Sequence, residues 1–218
     1  MPVKQLTSTS YAVLGLISVR PYSAYGLARQ MKRSLRFAWP RAERAIYYEP
    51  KNLLAHGLVT AATETTDKRR RTVYTITPAG RRALREWISR PSGPPLFESE
   101  AILRAVFAEQ GSKADLLAAI RSLRKHAAAL QDQASIVARS YVEGHNPFPE
   151  RLHVNALAGR FVFDYVTMLE RWSAWAEAEV QRWPNTTDPS VFPEALEVFR
   201  DFLSPRACLA PNRSMNTA

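Results

Sequence analysis

Cysteine is all but missing from this chain: Cys208 is the only one in 218 residues. It has nothing to pair with inside the chain, so a disulfide framework is excluded, which suits a reducing compartment. Glycine is scarce, with 8 residues, and no phosphate-cradling glycine loop or Gly-x-Ser-x-Gly elbow occurs. The histidines His56, His126, His145 and His153 are scattered, without HExxH or clustered Cys/His spacing. Glu98/Glu100 and Glu177/Glu179 are spaced two apart, on different sides of a helix, so each pair reads as a solvated face rather than an acid/base pair. No metal, cofactor or catalytic constellation is expected, and the chain is not read as an enzyme. Long apolar runs are lacking too. The run at 11–19 is too short for a signal or a membrane span, so the protein is expected in the cytoplasm.

What is present is positive charge, and it is unevenly placed. Residues 1–90 hold 17 Lys/Arg against 5 Asp/Glu, a balance of +12, while 91–218 hold 13 against 15, a balance of −2. A basic half joined to a near-neutral half implies a polyanion-binding module attached to something else. An anionic membrane is the rival polyanion, but no basic amphipathic helix with exposed bulky apolar residues stands out.

The basic half is expected to be a winged helix-turn-helix. Residues 7–19 form a helix with several capping candidates at 7–10, and Gly15 inside it suggests close packing against another helix. Ser23 caps a second helix with the apolar stripe Tyr25, Leu27, Ala28 and Met31. Phe37 and Trp39 read as core plugs. Residues 41–56 form a third helix closed by Gly57, with Ala45, Ile46, Leu53 and Leu54 inward. Outward lie Arg41, Glu43, Arg44, Tyr47, Tyr48 and Lys51, the residue types that contact phosphates, guanine edges and thymine methyls. Pro50 means that this helix is kinked or is two short pieces. Residues 58–63 and 72–77 alternate as strands, with Leu58, Ala61, Val73 and Ile76 on one face and Tyr74 on the other. Between them the cations Lys68, Arg69, Arg70 and Arg71 sit on a turn suited to phosphate contact. Thr77-Pro78 opens a helix running to about residue 89.

RPSGPP at 90–95 marks the domain boundary. Domains are expected at 1–90 and 96–203, with a disordered tail at 204–218. The second domain is all helical: a helix over 98–109, a long one capped by Ser112 and running to about 143, a second long one over 150–183, and a shorter one over 191–203. Two helices of that length in a domain this small cannot bury their apolar positions against each other alone, so a second copy is expected to cover them. A dimer would set two recognition helices about one DNA turn, ~34 Å, apart on a two-fold symmetric operator in double-stranded DNA. Phe161, Tyr165, Trp172 and Trp175 lie at helical spacing. They read as core and dimer interface, or as the lining of a pocket for a small aromatic effector.

The fold class is thus mostly α, with a two-stranded β wing in the first domain and an all-α dimerisation domain after it. The chain resembles the PadR family of bacterial transcriptional regulators. The resemblance rests on YAVLGLI at 11–17, SAYGLARQM at 23–31, the Phe37/Trp39 pair, IYYEPKNLLAHGLV at 46–59 and RRRTVYTITPAGRRALREW at 69–87, with ESEAILRAVFAEQ at 98–110 in the second half. It implies a homodimeric winged-helix repressor whose operator binding is relieved by a small molecule or another signal. By position, Tyr47 and its neighbours Arg44, Tyr48 and Lys51 would face DNA, and Lys68 to Arg71 would form the wing tip. The competing expectation is a winged-helix scaffold that binds protein instead of DNA.

Overall fold

The computed structural model describes residues 4–34, 39, 46–66, 69–145 and 148–203. The chain divides into two compact units, Met1–Leu96 and Phe97–Ala218.

In the first unit, helix α1 (Ser8–Val19) starts from a capping box in which Thr7 N–H donates to Ser10 Oγ at 2.9 Å and Ser10 N–H to Thr7 Oγ1 at 3.4 Å. Val13, Leu14 and Ile17 are fully buried along it. Each such side chain contributes roughly 1.5–3 kcal/mol of burial. No helix crowds Gly15, since a Cβ added there meets nothing within 4 Å. Tyr11 stacks on Trp87 with ring centroids 5.1 Å apart. Trp39 is not a core plug: it is 41% exposed, and its Nε1–H donates to Thr9 Oγ1 at 2.9 Å. Phe37 lies outside the described residues.

A strand the sequence did not announce, β1 (Tyr22–Ser23), precedes helix α2 (Ala24–Ser34). Ser23 Oγ accepts from Gly26 N–H at 3.2 Å, as its capping role requires. Leu27 and Met31 are buried, but Tyr25 is 72% exposed and Gln30 is buried in its stead.

Helix α3 (Glu49–Ala55) is shorter than expected. Residues 46–48 form a turn, and 40–45 lie outside the described residues. Pro50 therefore falls in the first turn of α3, where its missing N–H is an orphan in any case. Ile46 and Leu53 point inward, whereas Leu54 is 42% exposed. The helix ends in a Schellman arrangement: Leu58 N–H reaches Leu53 O at 3.0 Å and Gly57 N–H reaches Leu54 O at 2.9 Å. Gly57 takes φ +69°, a conformation that favours glycine.

Strands β2 (Val59–Thr66) and β3 (Arg69–Ile76) are antiparallel and longer than the sequence suggested. The sheet order is β1-β3-β2, so β3 is central at its root. That position buries Val73 along with Tyr74, although the two point to opposite faces of the strand; Ile76, on the same face as Tyr74 rather than that of Val73, is buried as well, while Ala61 is exposed. Helix α4 (Pro78–Ile88) follows at once, capped by Thr77 Oγ1, which accepts from Gly80 N–H at 3.0 Å and donates to Gly57 O at 2.8 Å. Thr77 N–H also donates to Leu58 O at 3.0 Å. One threonine thus ties the end of α3 to the start of α4.

The regular elements of the second unit are all helices and 3-10 turns among its described residues. Ser99 caps α5 (Glu100–Val106), and a 3-10 turn at Ala108–Gln110 follows. A capping box between Ser112 and Asp115 opens α6 (Lys113–Val142), 30 residues long. A 3-10 turn at Pro149–Arg151 leads into α7 (Leu152–Arg182), 31 residues long. The two long helices are antiparallel, since Leu116 and Ile120 near the start of α6 cluster with Ala176 and Val180 near the end of α7. Lys113 Nζ donates to the carbonyls of Gln181 at 2.9 Å and Trp183 at 2.5 Å, placing a cation at the negative end of α7. Helix α8 (Phe192–Leu203) completes the unit.

Glu177 is no solvated residue. Its side chain is 16% exposed and accepts from Arg121 Nε at 2.7 Å and Arg124 Nη1 at 3.2 Å, bridging α7 to α6. Glu179 pairs with Arg182. No helix among the described residues is long and apolar enough to cross a membrane.

Candidate nucleic-acid interface

A helix that reads a groove needs a buried side to hold it and an outward side of hydrogen-bonding and cationic groups. The segment 46–53 alternates in that way. Ile46, Glu49, Pro50, Asn52 and Leu53 are buried, whereas Tyr47, Tyr48 and Lys51 are exposed. Tyr47 is 62% exposed and Tyr48 45%. Lys4 Nζ lies 5.6 Å from the Tyr48 ring centroid, adding a cation to the same patch. His56 Nε2 is 2.9 Å from Lys4 O, which fastens the start of the chain beside α3.

Glu49 and Asn52 are buried polar residues that the sequence reading did not single out. Among the described residues Glu49 Oε2 and Asn52 Nδ2 have no hydrogen-bond partner. An orphaned buried polar group costs roughly 1–3 kcal/mol. Both positions lie on the buried side of α3 with Leu53.

The wing differs from a cationic turn. Arg69, Arg70 and Arg71 belong to β3, paired with Thr66, Thr65 and Glu64 of β2. Arg70 is exposed. Arg71 Nη2 lies 3.0 Å from Glu64 Oε2, with both side chains about half exposed, so the pair is worth little in water. Arg41, Arg44 and Lys68 lie outside the described residues, as does the side chain of Arg69.

The aromatic candidates share one side of α7. Phe161 is 66% exposed and Trp175 47%, while Tyr165 is half-buried. Trp172 leans on the Leu116–Ile120–Ala176–Val180 cluster. Val154, Leu157 and Met168, also exposed, extend the same apolar side. Among the described residues no three His, Cys, Asp or Glu side chains converge as a metal site would require.

Residues 13–86 match the transcriptional regulator PadR-like family. The negative transcriptional regulator PadR of Bacillus subtilis (strain 168) is 31% identical over 99 residues, which are 44% of this chain and 54% of that protein. The chain thus spans about half the length of this curated relative. Among solved structures, the PadR-like transcriptional regulator BC1756 from Bacillus cereus superposes with a TM-score of 0.67 at 14% identity, over 79% of this chain and 98% of that one. Bacillus subtilis PadR in complex with operator DNA superposes with a TM-score of 0.58 at 25% identity, over 78% of this chain and 99% of that one.

Proposed function

From the premise that residues 13–86 form a PadR-like domain, we propose that this chain is a homodimeric, sequence-specific DNA-binding regulator that represses transcription until a small aromatic effector releases it. The observation that carries the reading is the pairing of an exposed Tyr47–Tyr48–Lys51 patch with the arginines of β3, in the half of the chain that holds the positive charge. Tyr47, Tyr48 and Lys51, with Arg41 and Arg44, are the groups that would contact the bases and flanking phosphates. Lys68, Arg69, Arg70 and Arg71 would hold the backbone whatever its sequence. The relative whose name gives negative regulation, and the PadR structure bound to operator DNA, support repression and duplex binding.

The exposed side of α7 supports the second copy. Leu157 at 77% and Phe161 at 66% exposure would be costly to leave in water along a helix this long. Two copies joined there would present two reading patches to one symmetric operator. Phe161, Tyr165, Trp172 and Trp175 offer an aromatic wall against which a planar effector could stack. Chain boundaries at 1–90 and 96–203 fit this division of labour, and the cytoplasm is where such a regulator meets the chromosome.

Selection of bound fragments from the source genome, followed by a salt titration, tests the reading. Several phosphate contacts give a slope of about −0.9 each in log affinity against log salt. Replacing Lys68 and the three arginines by alanine weakens all duplexes alike, whereas Tyr47→Ala costs affinity for the selected operator over random DNA. A shallow slope with no enriched fragment would instead favour a winged-helix scaffold for protein partners.

A further inference from the structure

Where β1 meets the wing, the first unit holds a cleft of about 350 Å³. Its lining includes Arg20, Tyr22, Ser23, Arg29, Glu64 and Arg71, brought together by four elements of chain. Arg20 precedes β1. Tyr22 and Ser23 form β1 and pair with Tyr74 and Val73 of β3. Arg29 lies on α2, and Glu64 stands opposite Arg71 across the β2–β3 pair.

Three arginines and one glutamate line this space, an excess of positive charge. One of the guanidiniums is held in place: Arg20 Nε–H donates to the Tyr22 hydroxyl at 3.0 Å while its guanidinium carbon sits 5.0 Å from the centroid of the same ring. Arg71 lies 3.0 Å from Glu64 in a half-exposed pair that holds it only loosely. Arg29 is exposed and has no carboxylate partner among the described residues. Pro21, Val73 and the Tyr22 ring are the apolar part of the lining, set against three arginines, Glu64, Ser23 and Gln30, so the cleft suits a polar anion better than an apolar molecule. Its volume is at the low end for small-ligand sites, roughly 300–1,000 Å³, and exceeds what a bare ion needs.

We propose that this cleft binds a phosphoryl group. One guanidinium fork saturates a planar carboxylate, whereas the tetrahedral oxygens of a phosphate accept from several directions, and arginines line this cleft from three parts of the chain. The group has two possible sources. It is a phosphodiester of the duplex backbone, in which case the inference rests on the DNA reading above, or a phosphate monoester of a free metabolite, which needs no duplex.

The test uses the full chain and its Arg29→Gln variant. Duplex binding is titrated against salt, on the selected operator and on random DNA. Inorganic phosphate and adenosine monophosphate are titrated calorimetrically without DNA. If the source is the duplex, Arg29→Gln weakens both DNAs by the same factor and makes the log–log slope shallower by about 0.9, one phosphate. If the source is a metabolite, the parent binds phosphate or the monophosphate saturably, Arg29→Gln abolishes that binding, and the slope is unchanged. Arg29 is exposed, so folding should survive. Should it not, Arg29→Lys keeps the charge without the fork, and weaker binding in the same arm sustains the inference. An unchanged slope together with no saturable phosphate binding overturns it, even while the Tyr47 and wing variants still uphold the regulator reading. If the parent binds no duplex at all, that reading fails. The phosphate titration then decides this one alone: saturable binding lost in Arg29→Gln sustains it, and none overturns it.

Discussion

Gly80→Ala should damage the first unit, although the same exchange in an ordinary helix helps. Gly80 sits in the first turn of α4, and a Cβ built there would lie 2.1 Å from Leu58 O and 2.8 Å from Ile76 Cγ1. Real Cβ atoms stay beyond 3.0 Å, so the carbonyl must retreat by 0.9 Å, the difference between 3.0 and 2.1 Å. That carbonyl accepts the 3.0 Å bond from Thr77 N–H, so the movement strains the junction of β2, β3 and α4. Overpacking costs roughly 1–3 kcal/mol, and a lost hydrogen bond about 1 kcal/mol more. Helix propensity returns about 1 kcal/mol. The net loss is about 2 kcal/mol, or a Tm of the first unit lower by roughly 8–16 °C for a domain of this size. Gly15→Ala is the control. It lies inside α1 with nothing within 4 Å and should stabilise by roughly 0.5–1 kcal/mol. Thermal unfolding followed by circular dichroism, with exchange of the Thr77 amide, reads both. A Gly80→Ala chain that melts at or above the parent temperature would refute the steric reasoning.

Thr77→Ala should lose about 1–2 kcal/mol, because it removes both the cap to Gly80 N–H and the bond to Gly57 O; urea unfolding measures this. Glu177→Gln should flatten the acid limb of stability in the second unit. The hydrogen bond from Arg121 holds the Glu177 carboxyl below its ordinary value of 4.5, aided by Arg124. A folded value below the unfolded one stabilises above the ordinary value, and that contribution fades as pH falls through the depressed one. Unfolding midpoints of parent and variant should therefore diverge near neutrality and converge in acid; parallel curves would contradict the bridge. Trp172→Ala should remove most of any tryptophan quenching caused by a planar phenolic ligand. Persistence of the full quench would place the ligand elsewhere.

Helices with strong punctuation were legible from the residues. Ser112 announced α6, Thr77-Pro78 announced α4, and Gly57 closed α3. Where the residues misled, tertiary context decided. Two residues of β1 are too few to leave a periodic trace, yet they make β3 central and bury Val73 and Tyr74 together. Pro50 left a kinked helix or two short pieces open, and in the structure it stands in the first turn of α3, after the turn at 46–48. Arg69, Arg70 and Arg71 looked like a turn because three cations in a row carry no alternation, although cross-strand partners place them in a ladder. The exposed patch at Tyr47, Tyr48 and Lys51 was readable from residue type. The cleft around Arg29 was not, since its residues are joined by strand pairing across some fifty positions of chain.

The wing is a cantilever. Each of its strands has eight residues, but only the 73–74 stretch of β3 is flanked on both sides, and the outer portion is a bare two-stranded ribbon. A ribbon of that kind is marginally ordered in water by itself. A partner clasped by it would therefore supply part of the energy that straightens it. Substitutions that stiffen positions 63–66 or 69–72 should tighten the clasp and lengthen its lifetime without making a single new contact.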